Sequence, residues 1–214
     1  MSLLDYKPYY ERQLPHVQPP GATLFITSRL AGSIPLTVLE QLRAETEAIQ
    51  AKLKRIGDLD QRAEETYREQ RRIFGRWDAA LHASANGPYW LNDPRVAETV
   101  AGSLIYRDGQ VYDLIAYCIM PNHIHILFTP LRTSEGGYHA MSAIMHSLKL
   151  YTARESNRLL GRIGQFWQHE NYDHVLRNEA ELNRITRYVL NNPVMAGVVE
   201  YWEDWKWSYC QYPL

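Results

Sequence analysis

Hydrophobic positions along the chain switch between two periods, and the switches predict its elements. Ala22–Leu30 is dense in strand formers and closed by Gly32 and Pro35, which gives a first strand. From Pro35 the spacing lengthens, with Val38, Leu42, Ile49, Leu53 and Ile56 near one helical stripe up to Gly57. Asp58–Arg72 keeps a helical pattern with almost no apolar residue and predicts a solvated extension. Ile73–Asn92 holds Phe74, Trp77, Leu81, Tyr89 and Trp90 around Gly75 and an Asn86-Gly87-Pro88 turn, and reads as an anchored loop. A helix opens at Pro94, buries Ala97, Val100, Ala101 and Leu104 on one face, and ends at Gly109. Val111–Met120 and His123–Phe128 are strands around Pro121-Asn122, expected to pair antiparallel. Met141, Ile144, Met145 and Leu148 begin an amphipathic helix that runs toward Arg162, and Gly164–Leu176 holds a short fourth strand. Asn178 with Glu181 has the form of a capping box, opening a helix that carries Leu182, Ile185 and Val189 and that Pro193 stops. Tyr6–Gly21, with Pro8, Pro15, Pro19 and Pro20, is expected to form no regular element.

In order, the elements give an α+β chain with a ferredoxin-like β-α-β-β-α-β core and an antiparallel sheet. A helical insertion and an extra C-terminal helix are added to it. The expected organisation is a single domain over residues 1–214: an arm (1–21), the helical insertion and anchored loop (58–92), the helix at 178–193 and a tail (194–214). That last helix can cross the open sheet face. A formal net charge of -1 argues neither for nor against a nucleic-acid partner, so local clusters must decide. Cys118 and Cys210 are the only cysteines and lack metal-type spacing, so a disulfide scaffold is not expected. No apolar run reaches the roughly 18 residues that span a bilayer, and the polar N-terminus is unlike a signal, so a cytoplasmic chain without a membrane partner is expected.

Candidate chemistry concentrates in two places. His123 and His125 alternate with Ile124 and Ile126, which sets two imidazoles side by side on one strand face. Such a pair either binds something or is a satisfied structural pair. Tyr188 and Asn192, four residues apart, share a helix face. Two imidazoles and an amide oxygen can hold a divalent cation, Mg²⁺ or Mn²⁺, at an open site, and a tyrosine one turn earlier is placed to attack a phosphate. The proline after Asn192 biases that residue toward the helix end. Lys149, Arg154, Arg158 and Arg162 along a basic helix end, with Arg177 and His174, are candidate phosphate contacts, and Trp167 is a candidate stacking platform. A solvated face and a core position are the ordinary alternatives for that helix and that tryptophan. A histidine-triad hydrolase needs a third histidine at position 127, where Leu127 stands.

Met120-Pro-Asn-His-Ile-His125 resembles the His-hydrophobic-His (HUH) motif of the single-tyrosine transposases, in particular the REP-associated tyrosine transposases. Further stretches are similar to that group: Gln18-Pro-Pro-Gly-Ala-Thr23, Phe166-Trp-Gln-His-Glu-Asn-Tyr-Asp-His174, Tyr188-Val-Leu-Asn-Asn-Pro-Val194 followed by Ala196-Gly-Val198, and Trp205-Lys-Trp-Ser208. They cover nearly the whole chain, although Asp58–Arg72 contributes nothing. The resemblance implies that His123 and His125 bind the metal, that Asn192 completes its site, and that Tyr188 is the nucleophile. It also implies a metal-dependent endonuclease and strand transferase for single-stranded DNA with hairpins such as REP elements, working through a 5′-phosphotyrosine link as a monomer or homodimer. His174 and Arg177 match the group's His-x-x-Arg pattern. A catalytically inactive, domesticated hairpin-binding descendant is the alternative, but it would have lost a ligand or the tyrosine, and all four are present.

Overall fold

The computed structural model describes residues 9–11, 15–17, 19–83 and 87–212. Its elements are β1 (Tyr9–Glu11), β2 (Pro15–Val17), β3 (Leu24–Arg29), α1 (Leu36–Lys54), α2 (Leu59–Ala83), α3 (Pro94–Arg107), β4 (Tyr112–Ile119), β5 (His123–Pro130), α4 (Met141–Leu159), β6 (Tyr172–Val175), α5 (Glu179–Met195) and β7 (Ser208–Cys210). β1 and β2 pair as a small ribbon, and the other strands form one sheet in the order β6-β3-β5-β4-β7. Every pairing is antiparallel. The first four strands of that order are the ferredoxin-like set, and β7 extends its β4 edge.

β5 is central and buried on both sides, so it reads as a nearly continuous apolar run. Its alternation then decides what each face meets. Ile124, Ile126 and Phe128 pack with Val100 and Leu104 of α3 and Ile144 and Leu148 of α4. Leu127 lies on the other face with Phe25, Cys118 and the α5 residues Ile185 and Val189, and Phe74 of α2 packs against them. His123 and His125 fall on the α5 side. A register shift between Leu114 and Ala116 lets Ile115 and Ala116 both join that second cluster. α1 and α2 form a helical hairpin held to the chain by Ile34, Leu39 and Leu81, with Trp77 against them. Gly21 sits at φ 73, where a Cβ would come 2.6 Å from the Tyr138 ring, which explains the glycine of the Gln-Pro-Pro-Gly stretch.

Three expectations are corrected. The helix expected to give way to a loop after Arg72 runs on to Ala83, through Gly75, because Ile73, Asp78 and Leu81 are buried on its inner face. That burial outweighs the cost of a helical glycine, about 1 kcal/mol. Only Trp90–Asn92 of the supposed anchored loop is a separate short turn of helix, and Asn86 lies outside the described residues. Pro193 does not stop α5, which continues to Met195 and closes with the Ala196 amide donating to the Asn192 carbonyl at 3.0 Å. Val189, Leu190, Asn192 and Pro193 are all buried there, and this packing overrides the bias against helix before proline. Finally, the proline-rich arm does contain regular structure, the β1–β2 ribbon, and the Trp205–Ser208 tail leads into β7.

α5 is fixed at its start by Asn178, whose side chain accepts from the Glu181 amide at 2.9 Å. Glu181 in turn accepts from the Arg177 amide at 3.0 Å, from Arg184 at 2.9 Å and from Tyr67 of α2, and it pairs with His174 at 3.0 Å. Burial pushes the Glu181 carboxyl up, but the hydrogen bonds from Tyr67, His174 and the Arg177 amide outweigh it and hold the group down at about 2. A carboxylate held below its ordinary value of 4.5 contributes stability that is complete above that value and lost as the pH falls toward 2. Glu181→Gln should therefore destabilise the fold by about 1–3 kcal/mol near neutral pH, and the gap to the unmodified chain in thermal unfolding should narrow on acidification to about pH 3. A gap that stays constant with pH would contradict this account of Glu181.

Candidate active site

His123 and His125 are completely enclosed, at 1% and 0% exposure, so every ring nitrogen needs a partner from the protein or a ligand. Asn122 donates its Nδ2–H to the Leu81 carbonyl at 2.9 Å, which turns its Oδ1 toward His123 Nδ1, 2.7 Å away. Nδ1 of His123 must then carry the proton, and Nε2 is left with a bare lone pair. Burial, followed by the charge of neighbouring His125, holds His123 well below the usual imidazole range and keeps that lone pair free. It points at His125 Nε2, 3.1 Å away. His125 Nδ1 lies 2.8 Å from the Thr27 hydroxyl, which can accept its proton and so free the second Nε2 as well.

Around these two nitrogens the structure gathers groups from both helices. Asp78 of α2 places Oδ1 3.4 Å from His125 Nε2 and pairs through Oδ2 with His82 Nδ1 at 3.4 Å. Its ligand atom and those of His123 and His125 lie within 4.8 Å of one another, all buried. Burial raises the Asp78 carboxyl, yet hydrogen bonding to His125 and His82 wins and holds it far below the carboxylate range, so it is an anion. His82 is raised by its hydrogen bond to Asp78, an effect larger than its own burial, and its Nε2 sits 3.1 Å from Asn192 Oδ1.

α5 brings Tyr188 and Asn192 to the same place. The Tyr188 ring stands 5.5 Å from that of His125, edge on, with Phe25 at 6.0 Å and Phe74 at 5.5 Å around it. Burial, then the Asp78 charge, drives its phenol well above the ordinary value. Among the described residues, the buried Tyr188 Oη, Asn192 Nδ2 and Asp78 Oδ1 have no well-formed hydrogen bond, and the approach of His125 Nε2 to Asp78 Oδ1 is a long 3.4 Å. Three such polar atoms beside a bare imidazole nitrogen are costly in a closed protein, each by about 1–3 kcal/mol. Two imidazoles, a carboxylate and an amide are an appropriate donor set for a divalent cation, so the residues present fit the metal their sequence suggested.

Asp78 and His82 were not anticipated. Their signal was present, because Phe74, Asp78 and His82 recur every four residues as one face of a helix. Gly75 hid it.

The residues proposed to contact DNA are scattered. Lys149, Arg154 and Arg158 belong to α4, which covers the opposite face of the sheet from Tyr188. Lys149 donates to the Gln168 carbonyl at 2.7 Å, and Arg154 and Arg158 both pair with Glu155 at 3.0 Å. Arg162, beyond the end of that helix, stacks on Trp90 at 3.5 Å. Trp167 and His174 are interior residues: the indole N–H donates to Thr152 at 2.8 Å, and the imidazole is tied to Glu181. Arg177 is exposed and lies over the Tyr67 ring at 4.0 Å. It alone of these lies beside α5 with its side chain in solvent.

Residues 103–192 match the family described as "Transposase IS200 like". A curated Haemophilus influenzae protein named as a REP-associated tyrosine transposase is 30% identical over 106 residues, which is 45% of this chain and 58% of that protein. This chain thus spans somewhat over half of that relative's length. A solved structure of a REP-associated tyrosine transposase bound to a REP hairpin shares the fold, with TM-score 0.52 and 15% identity over 93% of this chain and 80% of that one. Residues 103–192 are thus similar to the IS200-like transposases. The similarity to a REP-associated tyrosine transposase agrees with the resemblance that the motifs carry. The matched segment holds His123, His125, Tyr188 and Asn192, whereas Asp78 and His82 lie outside it.

If Thr27 sets the proton of His125, removing its hydroxyl should weaken cation binding without removing a ligand. Thr27→Val is expected to lower Mn²⁺ affinity by about 10–100-fold, read by calorimetry on protein that unfolds at the unmodified temperature. Unchanged affinity would exclude Thr27 from this role.

Proposed function

We propose that the chain is a metal-dependent endonuclease and strand transferase for single-stranded DNA, acting beside hairpins such as REP elements through a 5′-phosphotyrosine link. The reading is supported by one observation, the gathering of the buried Tyr188 Oη, Asn192 Nδ2 and Asp78 Oδ1, poorly partnered among the described residues, beside the facing Nε2 atoms of His123 and His125. The relatives' names support the DNA hairpin as partner.

His123 and His125 would hold a Mg²⁺ or Mn²⁺ ion with Asp78 and Asn192, and Mn²⁺ suits the imidazoles better. Such an ion polarises a phosphate and offsets charge developing on its oxygens. Tyr188 Oη attacks the phosphorus, and the bond to the departing 3′ oxygen breaks. The phenol's proton is given up, the 3′ oxygen gains one, and the phosphodiester energy is retained in the tyrosyl ester, so the reverse reaction rejoins strands. In the closed arrangement Asp78 opposes loss of the phenolic proton, and its negative charge has to be offset before Tyr188 can react. Phe74 also stands against the tyrosine ring, so an entering strand displaces it.

A covalent adduct tests this reading. With a single-stranded hairpin oligonucleotide and Mn²⁺, the chain should give a protein–DNA species that survives denaturing electrophoresis, and Tyr188→Phe and His123→Ala should each abolish it. Because the Tyr188 hydroxyl is buried without a well-formed hydrogen bond among the described residues, Tyr188→Phe should also raise unfolding stability, by about 1 kcal/mol. An adduct that persists in Tyr188→Phe would remove Tyr188 as the nucleophile.

A further inference from the structure

A second set of unpartnered polar atoms lines a cavity of about 260 Å³ between α1, α2 and the loop that leads into β6. Thr27 and Asp78, the side chains that touch His125 on either side, form part of its wall, so the cavity adjoins the candidate active site. Arg29, Arg43 and Trp77 line it as well. Arg29 is 8% exposed; its side chain makes a long hydrogen bond, 3.4 Å, to Ser33 and lies over the Trp77 ring at 5.7 Å. Burial, then the charge of Arg43, pulls its pKa down to about 10, despite Glu170 nearby. Among the described residues, the buried Nε–H of Arg43 and Nε1–H of Trp77 have no acceptor.

Asp78 Oδ1 is turned toward His125 Nε2, 3.4 Å away, and the other unmet groups of this wall, Arg43 Nε and Trp77 Nε1, are donors, so a partner for them presents acceptors. Glu47 and Glu170 also face the cavity, and their charges disfavour a phosphate. A neutral ring with an acceptor edge meets both conditions. Phe74, Trp77 and Tyr172 supply flat apolar walls for it. Guanine is the base whose O6 and N7 are adjacent acceptors suited to a guanidinium, and its ring N–H and amino donors can meet a carboxylate.

We propose that this cavity receives one unpaired nucleobase of the bound strand, guanine in preference to the others, held by Arg29, Arg43 and Trp77. The inference takes from the strand-cleaving reading only the presence of a single strand. It adds a specificity site built by the α1–α2 hairpin, which lies outside the segment shared with the IS200-like family.

The test is calorimetric titration of the full chain, without divalent cation, with dGMP, dAMP, dCMP, dTMP and inorganic phosphate. Binding of dGMP about tenfold or more tighter than the other four supports the proposal. Trp77→Phe, which keeps a ring and removes the donor, should weaken dGMP by about fivefold while Mn²⁺ affinity and unfolding temperature stay unchanged. No dGMP binding to the unmodified chain, phosphate binding as tightly as dGMP, or Trp77→Phe binding dGMP as tightly as the unmodified chain would each overturn it. Failure of the cleavage reading looks different. In that case dGMP still binds and Tyr188→Phe binds it equally, yet no covalent adduct forms. An adduct without dGMP binding sinks the nucleobase pocket alone.

Discussion

A lone pair with nowhere to go governs the centre of this protein. Asn122 is pinned by the Leu81 carbonyl, so it can only accept from His123, and the far nitrogen of that imidazole is left as a bare acceptor in a site closed to water. In water such a nitrogen would be solvated at no cost. Here it faces a second imidazole nitrogen at 3.1 Å, and two lone pairs at that separation repel unless a proton or a cation lies between them. The Thr27 hydroxyl, able to donate to His125 or accept from it, lets the pair take either state.

The remaining architecture serves this arrangement. A buried central strand fixes both imidazoles on one face, because alternation allows no other outcome once Ile124 and Ile126 fill the opposite core. α5 is laid across that face by Ile185 and Val189, and Asn178 and Glu181 set where it begins. From α2 come Asp78 and His82. The first adds negative charge beside the imidazoles, and the second lies 3.1 Å from the oxygen of Asn192, using one of its two lone pairs. The site is therefore assembled from a segment shared with the IS200-like transposases and from a helix outside that segment.

How much of this was legible follows from which signals are local. The strands, α3, α4 and α5 announce themselves through period and capping, and the β-α-β-β-α-β order was readable from them. The imidazole pair and the Tyr188–Asn192 spacing were readable for the same reason, since each is set within one element. Asp78 was not, because its meaning depends on contact with β5, far away in the chain, and Gly75 made its helix look like a loop. β7 is three residues long and pairs only with an edge, so no periodicity could reveal it. For Trp167 the core reading holds over the stacking platform, since its indole is satisfied inside by Thr152. For the basic residues of α4 the sequence left a phosphate track and a solvated face equally open, and the sheet sets that helix on the face opposite Tyr188.

The most direct test of the central claim is anomalous diffraction from crystals grown or soaked with Mn²⁺. A single strong peak bonded to Nε2 of both His123 and His125, with Asp78 among its other ligands, is the predicted result. Clear density for both imidazoles with no peak between them, at Mn²⁺ concentrations that occupy other sites in the same crystal, would contradict it.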